Sequence, residues 1–259
     1  VITSITNEIK KYNELKLLDV DMGYDTNRTV VTFAGNPDIV IQAAFDAIKK
    51  ASELINMDIH QGAHPRMGST DVCPLIPISD ISMSECVDFS KLLAKRVGEE
   101  LNIPVYLYEE SATSIDRTNL ANIRKGEYEN MPVKIKTEDW KPDYGPNKLT
   151  NTSGVTAIGA REFLIAYNVN LNTSDKKKAT DIALDIRENG RAKRDKNGKI
   201  IRDNNGNIVK VPGTLKFVKA VGWYIEEYKI AQVSINLINF KNTTLHAVFE
   251  EVRKQANKR

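Results

Sequence analysis

The chain has 259 residues, 41% of them hydrophobic and 27% charged, with a net charge of +3 and two cysteines. That is enough apolar material to bury a core in one large or two small domains. Cys73 and Cys86 are too few for a disulfide framework and too far apart for a redox or zinc pair, so they read as free thiols of a reducing, cytoplasmic compartment. No stretch approaches the roughly 20 apolar residues of a membrane span, and the first ten residues lack the cationic start and apolar centre of a signal peptide. These features exclude disulfide scaffolds and predict no membrane partner.

Hydrophobic periodicity predicts an amphipathic helix over 2–15, strands over 16–22 and 28–34 that pair as a hairpin, and a long helix over 37–55 opened by Asn36 and Pro37. A strand over 72–78, a helix over 84–101 with a capping box at Ser82 or Ser84, and a strand over 103–108 make a βαβ unit. One or two short helices are predicted within 117–140. Residues 141–154, polar and rich in turn formers, read as a long connection between two halves. The second half is predicted as strand 160–171, helix 175–189, a basic excursion, strands 215–226 and 231–240, and helix 243–254. This is a split β-α-β-β-α-β unit whose last strand would lie beyond residue 259.

Between Arg187 and Lys219 there are ten Lys or Arg against three Asp or Glu, so the remainder of the +3 chain carries −4. Such a segment attracts polyanions or is simply a solvated hairpin. Within it, residues 194–201 and 202–209 repeat with a period of eight, each around an Asn-Gly expected to form a type I′ turn. The downstream glutamate of a calcium loop is missing, so no metal is expected there. The aromatic platforms of single-strand binding are absent, so no nucleic acid is expected either.

Two of the three histidines fall in one loop, Met57-Asp-Ile-His-Gln-Gly-Ala-His-Pro-Arg-Met-Gly-Ser-Thr-Asp-Val-Cys-Pro-Leu-Ile-Pro77. An imidazole is the side chain suited to move protons near neutral pH. His60 and His64 have helical metal-pair spacing, but Gly62 and Pro65 break any helix there, and a metal site is not expected. His64 either ties the loop to a sheet or transfers protons; Pro65, Gly62 and Gly68 make the loop a rigid presenter. Arg66 offers a fork for a carboxylate. Asp19 and Asp21 share one strand face, and Asp21 either caps the turn at Gly23 or points into a cleft, with Arg28 placed to pair with it. Cys73 reads as core, and Trp140 and Trp223 as packing residues.

The segment Gly62-Ala-His-Pro-Arg-Met-Gly-Ser-Thr-Asp-Val-Cys-Pro74, together with Asp19-Val-Asp21, Thr26-Asn-Arg-Thr29, Pro104-Val-Tyr-Leu-Tyr108, Ile123-Arg-Lys-Gly-Glu-Tyr128, Asp143-Tyr-Gly-Pro146 and Gly159-Ala-Arg-Glu-Phe-Leu-Ile-Ala166, resembles the formiminotransferase domain. The resemblance runs in order along nearly the whole chain. It implies an α/β fold, an α+β sandwich of two subdomains at 1–163 and 164–259. Each would be a mixed sheet with helices on its outer face, the two sheets facing across a folate tunnel, usually in a homodimer.

The resemblance puts the catalytic histidine at His64. It puts folate binding on Gly145, Pro146, Asn147, Lys148, Leu149, Thr150, Asn151, Thr152, Ser153 and Gly154, with Asp21, Arg28 and Arg66 in support. It also implies that the family's opening strand and closing strand lie outside this sequence, and that the 194–209 repeat lengthens a connection that is shorter in the animal enzymes. The expected reaction moves a formimino group from N-formimino-L-glutamate to N5 of tetrahydrofolate, the co-substrate, which can be polyglutamylated. It belongs to histidine breakdown and needs no metal. The alternatives are formyl transfer from N-formylglutamate and a non-catalytic folate or polyanion binder.

Overall fold

The computed structural model describes residues 1–24 and 26–259, and its contacts divide the chain into two compact units, Val1–Arg161 and Glu162–Arg259. The first unit begins with helix α1 (Ile2–Lys10), the antiparallel hairpin β1 (Lys16–Gly23) and β2 (Arg28–Ala34), and helix α2 (Pro37–Leu54). α1 stops five residues short of the predicted end: the Tyr12 and Leu15 amides close turns onto Ile9 and Tyr12, and the Tyr12 hydroxyl donates to Asp46 of α2. α2 starts as its sequence dictates, with the Asn36 side chain accepting from the Asp38 amide and Pro37 in the first turn.

A three-stranded parallel sheet follows, from β3 (Val72–Leu75), β4 (Val105–Glu109) and β5 (Thr156–Ala160), in the order β3-β5-β4. Helix α3 (Met83–Glu100) connects β3 to β4 and opens on a complete capping box between Ser82 and Glu85. The βαβ unit is present, but β5 lies between its two strands. Pro74 is tolerated because β3 is an edge strand. Two short helices, α4 (Leu120–Arg124) and α5 (Glu127–Lys134), lie between β4 and β5.

Two expectations change here. The strand predicted over 160–171 is shorter, β6 (Ile165–Asn170), and opens the second unit, while β5, of which only Ala160 lies in a predicted strand, closes the first. All five β5 residues are buried, as suits a central parallel strand, whereas β6 alternates half-buried and exposed. Residues 141–154 are accordingly a connection inside the first unit, not between halves.

The second unit packs helices α6 (Lys176–Ile186) and α7 (Leu245–Asn257) against an antiparallel sheet. Its order is β6-β10-β9, with β9 (Val218–Ile225) and β10 (Ile230–Leu237) paired in register from Val218↔Leu237 to Ile225↔Ile230. The inward rows, such as Ala220, Ile235 and Tyr167, join Ile182, Ile186 and Val248 in the core. The opposite face carries Trp223, Gln232 and Asn170 in one row and Val221, Ser234 and Asn168 in the next. The α/β class with two subdomains therefore holds, with parallel and antiparallel pairing carried by separate sheets.

The basic excursion leaves from β7 (Arg191–Ala192) and returns through β8 (Lys210–Val211). Its two repeats are tight turns but not type I′: Gly198 and Gly206 have φ of +80° and +81°, while Asn197 and Asn205 are not in the left-handed region. The Gly198 amide bonds the Asp195 carbonyl and the Asp195 amide bonds the Lys199 carbonyl, which is a type I turn followed by a left-handed glycine. The Asp195 side chain decides it by accepting the amides of Asn197 and Lys199; Asp203 does the same for Asn205 and Asn207.

Candidate active site

His64 is half-buried, and both of its ring nitrogens are engaged. Nδ1 lies 2.7 Å from the Pro65 carbonyl and Nε2 lies 2.9 Å from Arg28 Nη1. A guanidinium only donates, so Nε2 must be the unprotonated acceptor, and the ring proton sits on Nδ1, donating to the carbonyl. Burial lowers the His64 pKa first, then the positive fields of Arg28 and Arg124; the Pro65 hydrogen bond and Asp71 oppose this without reversing it. The ring is a neutral imidazole with its basic nitrogen aimed at the exposed end of the β1–β2 hairpin.

The histidine loop owes its shape to distant braces. Arg66, only 11% exposed, places both Nη atoms on Glu129, at 2.9 and 2.7 Å, and also reaches Glu127 and the His60 carbonyl. The Arg66 pairing holds the Glu129 carboxyl down at about 2. Backbone bonds run both ways, from the Arg66 amide to Glu127 and from the Tyr128 amide to the Arg66 carbonyl, and the Tyr128 hydroxyl donates to Asp58 at 2.6 Å. Asp71 accepts the Met67 amide at 2.7 Å and pairs with Arg124, both side chains 16% exposed. Lys134 of α5 in turn donates to the carbonyls of Asn122 and Ile123 at the end of α4.

The loop also meets the hairpin and the expected folate segment. The Asn27 side chain donates to the Gln61 carbonyl at 2.6 Å, and His60 Nε2 lies 3.0 Å from the Asn27 carbonyl. The Met57 amide bonds the Thr152 carbonyl, Ser69 bonds Ser153, and Val155 bonds Met67. Gly154 has φ +75°, and a Cβ there would sit 2.3 Å from the Met67 carbonyl oxygen, so glycine is required for this approach. At its other end, the segment follows Asp143, which accepts the Leu107 amide at 2.8 Å and pairs with Arg117 at 2.9 Å. Thr150 donates to the Asn102 carbonyl. Leu149 packs on the Met67–Tyr106 cluster, while the side chains of Asn147, Lys148, Thr150, Asn151 and Thr152 are exposed and Ser153 is buried.

The predicted site residues thus divide. His64 and Arg28 are in direct contact. Asp21 is exposed on the hairpin face that carries Arg28, diagonal to it across the Gly23↔Arg28 pair, but the expected Asp21–Arg28 ion pair is not among the described contacts. Arg28 meets His64 instead. Arg66, expected as a fork for a substrate carboxylate, has that fork taken by Glu127 and Glu129. The sequence does not mark Asn27, Asp71, Arg124, Glu127, Tyr128 and Glu129 as loop braces, although Ile123–Tyr128 is among the motifs that carry the family resemblance. Cys73 behaves as core, its thiol pushed up to about 12 by burial.

An α/β protein with a neutral imidazole on a cross-braced loop is equipped for proton transfer. The chain matches the formiminotransferase domain, N-terminal subdomain, over residues 1–161 and the formiminotransferase domain over residues 166–259, and it belongs to that family. It is 44% identical over 258 residues to a glutamate formimidoyltransferase of Streptococcus pyogenes serotype M1, covering 100% of this chain and 79% of that protein. It is 48% identical over 256 residues to the formimidoyltransferase-cyclodeaminase of Mus musculus and 46% identical over 256 residues to that of Dictyostelium discoideum, covering 99% of this chain and 44% of each relative. The chain therefore spans less than half the length of those two.

Proposed function

We propose that the chain transfers the formimino group of N-formimino-L-glutamate to N5 of tetrahydrofolate, yielding 5-formiminotetrahydrofolate and glutamate. The observation that carries this reading is the His64 ring, neutral and with its basic nitrogen toward the exposed hairpin end. N5 attacks the formimino carbon, giving a tetrahedral carbon bonded to three nitrogens. The N5–C bond forms, the bond from carbon to the glutamate nitrogen breaks, and one proton passes from N5 to that nitrogen. His64 Nε2 takes the first proton and returns it to the departing amine, a role worth about 10²- to 10⁴-fold in rate. No oxyanion develops, so no oxyanion hole is needed. The exposed Asp21 carboxylate stabilises the positive amidinium as it forms.

Gly145 to Gly154 form the wall for the folate. Their exposed amide and hydroxyl side chains suit its polar edge, and Lys148 suits its carboxylates. The free thiols of Cys73 and Cys86 suit a reducing cytoplasm, and exposed Leu18, Met22 and Val30 supply apolar surface for a homodimer.

Incubation of the chain with N-formimino-L-glutamate and tetrahydrofolate should release glutamate and 5-formiminotetrahydrofolate in equal amounts. Tetrahydrofolate binding with no transfer would leave only a binding protein, and turnover of N-formyl-L-glutamate alone would change the donor.

A further inference from the structure

The contact that defines the base also blocks it. A neutral imidazole has one lone pair, and that of His64 is occupied by Arg28 Nη1 at 2.9 Å. While this hydrogen bond stands, Nε2 cannot accept a proton from any substrate. We propose that Arg28 is a carboxylate-displaced cap on His64: the guanidinium covers Nε2 in the resting protein, and a carboxylate of the incoming donor draws it away and frees the base. This rests on the formimino-transfer reading and adds to it a step that couples donor binding to activation of the base.

Three observations support the cap. Arg28 is exposed, and among the described residues no carboxylate pairs with it. The other arginines at the histidine loop are committed: Arg66 to Glu127 and Glu129, and Arg124 to Asp71. Among the described residues, the surroundings of Nε2 therefore hold one cation, Arg28, that pairs with no carboxylate. A guanidinium bonds a carboxylate through two parallel charge-assisted hydrogen bonds between opposite charges, against the single bond it makes to the neutral imidazole. An arriving carboxylate therefore outcompetes the imidazole.

The scaffold also permits the motion. Asn27 fixes the backbone at the hairpin end to Gln61 and His60, so the Arg28 side chain can turn without moving the loop. The charged groups facing His64 are Arg28 from β2, Arg124 from α4 and Asp71 from its own loop, and Asp71 is held by Arg124. Pairing Arg28 with an anion removes one of the two cations that disfavour protonation, so the ring gains proton affinity as the N5 proton is presented.

The test is an NMR titration of ¹⁵N-histidine-labelled full chain with and without L-glutamate, read beside transfer kinetics in wild type and Arg28→Gln. In wild type, saturating L-glutamate should raise the His64 pKa and move the Nε2 resonance. In Arg28→Gln the pKa should start higher and no longer respond, while KM for N-formimino-L-glutamate rises about tenfold and kcat changes less. Arg28→Lys should recover part of the KM. A His64 titration that ignores glutamate in wild type, or that responds unchanged in Arg28→Gln, overturns the cap and leaves formimino transfer standing. A wild type that shows the glutamate response but makes no product overturns the transfer reading and leaves a carboxylate-displaced arginine.

Discussion

The histidine loop, residues 57–71, and the basic excursion between β7 and β8 are built from the same residue types, glycine, aspartate and arginine, and are opposite in construction. In the excursion every arginine and aspartate of the repeat satisfies its own turn. Arg194 and Arg202 each donate to a glycine carbonyl four residues on, and Asp195 and Asp203 each accept amides two and four residues on. In the histidine loop the same groups reach far along the chain: Arg66 to Glu127 and Glu129, Asp71 to Arg124, Gln61 to Asn27. Local satisfaction gives a module that can be inserted anywhere. Long-range satisfaction fixes one side chain, His64, against several elements at once, which is what proton transfer requires.

Substitutions should separate the two regions. The largest effect is expected at His64 itself: His64→Ala should cost about 10²- to 10⁴-fold in turnover, with tetrahydrofolate binding and the thermal transition retained. Next is Asp71→Asn, which leaves Arg124 unpaired and should destabilise the first unit by about 3 kcal/mol. Chemical denaturation would read this, and protease nicking within residues 57–71 should rise with it. Gly154→Ala must strain a left-handed residue against the Met67 carbonyl, at about 2 kcal/mol or about 5 °C in Tm. Smallest is the pair Gly198→Ala and Gly206→Ala, where no atom lies within 4 Å of the added Cβ. The left-handed φ should cost about 1 kcal/mol at each turn, with formimino transfer unchanged.

What the sequence revealed follows the same divide between local and distant. The β-branched run at Arg28–Ala34 gave β2 to the residue, and Asn36-Pro37 gave the start of α2, because both signals are local. The loop with His64 was legible from its glycines, proline and paired histidines. Insertion of β5 between β3 and β4 was not, since strand order depends on contacts about fifty to eighty-five residues apart. Nor was the fate of Arg66: a fork free in the sequence is spent in the fold on acids more than sixty residues away. The Asn-Gly repeats misled in a different way. The dipeptide favours a type I′ turn, but the preceding aspartates capture the amides and select a type I turn with the glycine alone left-handed.

The central claim is that His64 works as a neutral base whose proton affinity is held down by burial and by two arginines. Its direct test is the pH dependence of kcat/KM for formimino transfer. Protonation removes the base, so activity must fall on the acid side, and the lowered pKa puts that fall below the ordinary histidine value of about 6.5. The account predicts an acid limb below that value in wild type and no such limb in the residual activity of His64→Ala. A limb at or above the ordinary value, or one that survives loss of the imidazole, would contradict it.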